Sequence, residues 1–338
     1  MAREGERLGA ASPRVLALDA LLCAVHPEQR LAQPAAAPSE KLLKLFAVIV
    51  CFHPDPARVR ETCAELQAAG ALPILVDNTE ESYLDREGLV GCRLIALREN
   101  KGIASAQNVG IRTAIDAGAD AVLFLDQDSR IDRACVVALR TALSAGPAMV
   151  VGPVCVDETT GIELPATRLG RYGFPRPVLT LGGDGNRSVD VLIASGTLAT
   201  RTALAAVGPM DEELFIDFVD TEWCLRCRSR AIGMEVVSGA VLRHSIGRRF
   251  VRFGPLTVLE HSPVRCYYQI RNCFLLLRKP HVPRLFALHA LVAVLVSRAL
   301  LLLFTADRTA HGKAYIAGVR DGLRGLGGRW SAVVPARS

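Results

Sequence analysis

The chain contains no Gly-x-Gly-x-x-Gly and no glycine-rich loop closed by a Walker lysine, the two sequences whose backbone amides cradle phosphate. A dinucleotide-binding sheet and a P-loop NTPase are thereby excluded. Cysteine pairing is missing too: the ten cysteines are scattered, and the only close pair is Cys224 and Cys227. With no second pair and no histidine at ligand spacing, that pair makes neither a zinc site nor a redox motif. It falls within an expected helix, so both read as buried thiols in a reducing cytosol. No internal repeat is evident. No signal peptide is expected either, because the apolar patch Val15 to Val25 is broken by Asp19 and lies far from a basic start.

Acidic residues are scarce in the carboxyl third. Residues 226–338 hold 19 Lys and Arg against 4 Asp and Glu, so residues 1–225 carry a balance of −9 within a net charge of +6. A basic region of this length suits an anionic membrane, a diphosphate-bearing substrate or nucleic acid, as well as a merely solvated surface. Half of the 338 residues are apolar, enough for one large α/β domain with an appendage or for two ordinary domains. Residues 1–43 are rich in Ala, Arg, Glu and Pro and read as a loose extension with room for one short helix.

From Leu45 the pattern alternates between strand and helix. Expected strands are Leu45 to Phe52, Leu72 to Val76, Cys92 to Leu97 and Ala119 to Leu125, with helices from about Pro56 to Ala69 and Gly102 to Ala117. Such βαβ units build a mainly parallel sheet, and ligands bind at the carboxyl ends of its strands. Val154 to Asp190 reads as a long irregular stretch, Val191 to Ser195 as a further strand, and Glu235 to Leu242 as another. Leu285 to Phe304 is apolar except for His289 and Arg298; with Arg298 well inside, it reads as a helix lying on a membrane or on the domain rather than a span.

The fourth strand runs straight into Asp126, Gln127 and Asp128. Carboxylates there suit a hard divalent ion gripping a diphosphate, and the same residues also suit an acidic turn capping the next helix. Asp77 with Asn78, and Asn100 with Gly102, end the second and third strands at the same edge, where each is equally readable as a turn. Downstream, Asp217, Asp220 and Glu222 place three carboxylates among aromatics at a helix start. One of them, desolvated and raised in pKa, would be a general base; the plainer role is helix capping. His244 ends a strand before Arg248 and is a candidate third metal ligand, with Arg248 positioned for phosphate. Tyr267, Tyr268, Arg271 and Asn272 share an expected helix that could grip an anionic acceptor or simply pack.

Taken in order, Val76-Asp77-Asn78, Glu99 to Gly110, Phe124 to Ser129, Ser195-Gly196-Thr197, Phe215 to Arg226, His244 to Gly247 and Tyr267 to Asn272 resemble the inverting family 2 glycosyltransferases, most of all bacterial rhamnosyltransferases. The resemblance covers about residues 44–280 and implies a GT-A fold, leaving 281–338 as a basic, apolar helical region. It further implies that Asp77, Asn78, Asn100, Gly102, Asn108 and Asp126 bind nucleotide. Asp128 and His244 would hold Mg2+ or Mn2+, and Asp220 would act as base with Glu222 as companion acid. Ser195, Gly196, Arg248, Arg271 and Asn272 would serve the diphosphate or acceptor. Residues 1–40 have no counterpart in the family, and Glu80 stands where glycine or serine is usual. The donor implied is dTDP-β-L-rhamnose, with another UDP- or dTDP-sugar as the alternative. The acceptor would be a glycan or lipid-linked saccharide met at the inner face of the cytoplasmic membrane, with no nucleic acid involved and a homo-oligomer left open. A nucleotidyltransferase would need a basic glycine-rich loop where His53 to Pro56 stand, and a non-catalytic membrane binder would leave the acids idle.

Overall fold

Seven consecutive apolar residues, Leu45–Cys51, form a strand buried along its whole length, β1, which is what a strand covered on both faces requires. Asp55 then caps α1 (Pro56–Ala68), with proline at the first helical position. The computed structural model describes residues 43–331, apart from 83, 86–87, 159, 245–249, 254–255, 260 and 306. The loose extension expected for residues 1–43 therefore lies almost wholly outside the described residues.

The chain continues through β2 (Ala71–Asp77), β3 (Arg93–Ala96), α2 (Ile103–Asp116), β4 (Ala121–Asp126), β5 (Ser129–Arg130), α3 (Arg133–Ala145) and β6 (Val150–Asp157). Four short strands follow, β7 (Glu163–Leu164), β8 (Ala166–Leu169), β9 (Pro175–Val178) and β10 (Arg187–Ser188). Then come β11 (Leu198–Thr200), α4 (Arg201–Val207), α5 (Val219–Ser229), β12 (Met234–His244), the hairpin β13 (Phe250–Phe253) and β14 (Leu256–Leu259), and three helices, α6 (Pro263–Arg278), α7 (Arg284–Phe304) and α8 (Arg308–Arg324).

The main sheet runs β10-β12-β6-β11-β4-β1-β2-β3. Pairing is parallel throughout β4-β1-β2-β3 and between β6 and β12, while β11 lies antiparallel between β4 and β6. The expected mainly parallel α/β sheet is present, with one core on each face. Register sets the site: Cys51 lies opposite Asp77 and Val50 opposite Asp126, so both acids leave the sheet at one edge, flanking the end of β1.

Two expectations need correction. Val191 to Ser195 is not a strand; only Val191 makes an isolated bridge, to Thr167, and the strand is the three residues Leu198–Thr200. The stretch expected to be irregular from Val154 begins inside β6, an eight-residue strand buried throughout despite Gly152 and Pro153. A Cβ on Gly196 would come 2.4 Å from the Pro153 ring, so the ring fills the space beside that glycine, whose φ of +85° suits it alone.

Residues from Leu43 onward form one compact unit, so the carboxyl-terminal region expected from 281 is no separate body: α7 and α8 pack against α6. Cys224 and Cys227 are buried free thiols on α5, and burial pushes the Cys227 thiol up to about 12.

Candidate active site

At the end of β4 the side chains alternate. Gln127 turns sideways, accepting from the Phe52 N–H at 2.6 Å and donating to the Phe52 carbonyl at 3.0 Å, which ties β4 to β1. Ser129 is fully buried and its hydroxyl meets that of Ser195 at 2.5 Å, while the Asp126 N–H donates to Ser195 Oγ at 3.3 Å. Asp126 and Asp128 retain exposed surface between these anchors. Ser195 and Gly196 thus buttress the acids from behind, the Gly196 N–H donating to the Phe124 carbonyl at 2.7 Å, and they do not face a diphosphate.

Asn78 and Asn100 clamp the neighbouring strand ends. Asn78 Nδ2 donates to Asn100 Oδ1 at 3.1 Å, the same oxygen takes the Gly102 N–H at 3.1 Å, and the Lys101 N–H donates to Asn78 Oδ1 at 2.8 Å. Gly102, at φ +84°, lies against Phe215, where a Cβ would come within 2.7 Å of the Phe215 carbonyl. Asp77 is wholly buried, its two oxygens accepting from the Thr79 N–H and the Ser82 hydroxyl. Ser82 thus occupies the oxygen of Asp77 that the backbone leaves open.

Asn108 lies elsewhere. Buried on α2, it accepts from the Met210 N–H at 2.8 Å and donates to the Met210 carbonyl at 3.0 Å and to Glu212 Oε1 at 2.8 Å, so both of its amide protons are committed to the protein. It anchors the segment entering the second acidic motif. Asn108→Ala is expected to cost about 2 kcal/mol in urea unfolding, from the orphaned Met210 amide, with the donor KM unchanged. A raised KM at unaltered stability would restore the nucleotide role.

The second motif is a strained loop. Phe215, Asp217 and Phe218 all have φ near +64°, conformations that cost non-glycine residues free energy and persist only when surroundings enforce them. Asn272 Nδ2 provides the enforcement, donating within 2.9 Å to the carbonyls of Leu214, Ile216 and Asp217. Arg271 reaches Glu213, Leu214 and Gly328 carbonyls at 2.6–3.0 Å, its guanidinium lying over the rings of Tyr267 and Tyr268. Both side chains are fully buried. The expectation that they grip a diphosphate or acceptor is therefore corrected: apart from that of Gly328, the carbonyls they hold belong to the loop that carries the acids.

Within that loop the three acids diverge. Asp217 pairs with Arg265 through both carboxylate oxygens, and Gln269 Nε2 approaches at 3.4 Å. Asp220 opens α5, accepting from the Ala194 N–H at 3.2 Å and the Thr221 N–H at 2.7 Å; burial nonetheless pushes its carboxyl above the ordinary value, and Asp217 adds to the rise. Part of its surface stays open. Glu222, two residues on and so on the far side of the helix, is buried against Arg226 at 2.9 Å and His281 at 2.8 Å. It braces α5 and is not a companion acid beside Asp220.

The two acidic motifs meet at one dipeptide: Ala194 donates its amide to Asp220, and Ser195 supports Asp126. Arg265 joins them electrically, paired with Asp217 and close enough to feel the charges of Asp126 and Asp128. Sequence reasoning gave Arg265 no role, although Arg265, Gln269 and Asn272 recur at helical spacing on one face of α6. His244 ends β12 opposite Ser129, which brings its backbone beside the Asp126–Asp128 turn. Arg248 lies outside the described residues.

Among the described residues no three His, Cys, Asp or Glu converge to hold a metal by themselves. Mg2+ commonly takes one or two carboxylates and completes its shell with water and substrate phosphate, and the carboxylates of Asp126 and Asp128 fit that partial donor set.

No protein-family model matches this chain. The dTDP-rhamnosyl transferase RfbF of Shigella flexneri is 35% identical over 292 residues, 85% of this chain and 99% of the relative. Among solved structures, GalNAc-T7 with UDP, GalNAc and Mn2+ superposes with a TM-score of 0.50 at 12% identity, over 80% of this chain and 58% of that one. TarS 1–349 of S. aureus also gives 0.50, at 14% identity, over 84% and 81% of the two chains. Both share the GT-A arrangement, and at such identity they speak to the fold alone. Kinship with a transferase over 85% of this chain tells against a non-catalytic surface binder. The acids gathered at this sheet edge, the GT-A fold around them and that kinship agree, and the chain belongs to the glycosyltransferase family that the Shigella rhamnosyl transferase represents.

Proposed function

We propose that this enzyme transfers L-rhamnose from dTDP-β-L-rhamnose, with inversion, to a saccharide or lipid-linked acceptor in cell-surface glycan synthesis, working in the cytoplasm. The observation that carries the chemistry is the shared dipeptide Ala194-Ser195, which holds a raised-pKa aspartate beside the Asp126–Asp128 turn. The relative's printed activity supports the donor.

In this reading the acceptor hydroxyl attacks the anomeric carbon, Asp220 takes its proton, and the bond from that carbon to the diphosphate oxygen breaks on the opposite face. One displacement inverts the centre. A bound Mg2+ or Mn2+ would neutralise charge on the departing diphosphate, held by Asp128 with Asp126 beside it and His244 near enough by backbone register to contribute. Arg265 adds a fixed positive charge between the two motifs, held in place by Asp217. Asn78, Asn100 and the Gly102 amide form the floor on which the nucleotide end rests.

Purified enzyme incubated with dTDP-rhamnose, other dTDP-sugars and UDP-sugars should release dTDP from dTDP-rhamnose fastest, and EDTA should abolish that release. Asp128→Asn should lower turnover about a hundredfold and raise the Mn2+ concentration needed for half-maximal rate. Release unaffected by EDTA and by Asp128→Asn would dismiss the metal role, whereas preference for a UDP-sugar would dismiss only the donor.

A further inference from the structure

Among the described residues, helix α7 has one face with no protein against it. Leu285, Leu288, Val292, Val296, Ala299 and Leu303 recur every three or four residues and are all exposed, a continuous stripe on a helix about 30 Å long. The opposite face is packed, with Phe286, Ala287, Leu291, Arg298 and Leu301 buried. Arg298 on the packed side lies near Cys266 and within electrostatic range of the Asp217–Arg265 pair. Long and apolar as it is, the helix is held to the domain along that side. Only its outer stripe is available.

What could cover that stripe is told by charge. Residues 278–329 contain nine Lys and Arg against two acids, and Arg308, Lys313, Arg320 and Arg324 of the adjacent α8 are exposed, interleaved with exposed Ile316 and Leu323. In a two-fold pair of identical chains this basic rim would meet itself and repel. An anionic surface with an apolar layer beneath it satisfies both features.

We infer that the α7 stripe is a docking surface for an anionic phospholipid bilayer: its apolar side chains enter the acyl boundary and the α8 cations meet headgroup phosphates. The inference stands independently of the donor sugar. Because the inner face of the same helix adjoins the Asp217–Arg265 pair, docking brings the active centre up to the membrane, where a lipid-linked acceptor resides.

Flotation of the full chain with vesicles tests it. Wild type should float with phosphatidylcholine–phosphatidylglycerol vesicles, float far less with phosphatidylcholine alone, and be released by high salt. Leu288→Glu/Val292→Glu/Val296→Glu, whose positions are exposed, should cut flotation about tenfold while far-UV circular dichroism and donor hydrolysis stay unchanged. Lys313→Glu/Arg324→Glu should abolish the preference for anionic vesicles. The proposal falls if wild type does not float with anionic vesicles or if the triple variant floats as well as wild type. It also falls if sedimentation shows a dimer that the triple variant breaks while neither protein binds vesicles, since the stripe is then a self-interface.

Discussion

Asp220→Asn should lower kcat for sugar transfer by about 10²–10⁴, the usual worth of a positioned general base, with little change in donor KM. The amide keeps the shape and can still accept from the Thr221 N–H, but it cannot take a proton, and its NH2 would oppose the Ala194 N–H that now donates to Oδ2. Some stability, about 1–3 kcal/mol, is lost with that bond, so kcat is compared on protein shown to be folded at the assay temperature. The pH profile supplies a second readout. A base must be ionised to act, and burial raises this carboxyl, so transfer should fall with acidification at a higher pH than a solvated aspartate would give. Near-native kcat in Asp220→Asn, or an acidic limb at the solvated-aspartate position, would remove Asp220 from the mechanism.

Arg271→Leu should be the most destabilising single change near the site, by on the order of 3–5 kcal/mol. The guanidinium is fully buried and, among the described residues, has no carboxylate paired to it; carbonyls of Glu213, Leu214 and Gly328, the Asn272 side chain and two tyrosine rings surround it. Leucine would leave several of those carbonyls without a donor. Lysine should rescue poorly, because one ammonium cannot span three carbonyls and lie flat between rings. Urea unfolding followed by tryptophan fluorescence measures both. Stability equal to wild type, coupled with a raised acceptor KM, would instead make Arg271 a ligand.

The parts of the fold legible from residues alone are those decided by composition. β1, β2 and β4 are apolar runs ending in polar turns, and such runs have few alternatives once helices separate them. β6 is hidden because Gly152 and Pro153 interrupt its apolar run; the partners that make them acceptable, the Leu192 side chain and Gly196, are about forty residues away. The acidic pair Asp126 and Asp128 is legible as the end of an apolar strand, where a turn and a metal ligand use the same residues. The roles of Arg271, Asn272, Asn108 and Glu222 were not, because a polar side chain that binds ligand and one that binds irregular backbone look alike in one dimension. Here the irregular backbone was the stronger claimant: three left-handed residues in a row of four need many donors.

The loop carrying those residues is also gripped from the carboxyl side. Gly328 donates its amide to the Glu213 carbonyl at 2.7 Å, Trp330 donates its amide to the Tyr268 hydroxyl at 2.8 Å, and the Trp330 ring stacks on Tyr267 at 4.3 Å. Residues 213–217 therefore wait, during synthesis, for a segment more than a hundred positions later before their geometry is fixed. A chain halted short of Gly328 would lack these contacts, although the sheet edge that carries Asp77 and Asp126 lies wholly upstream.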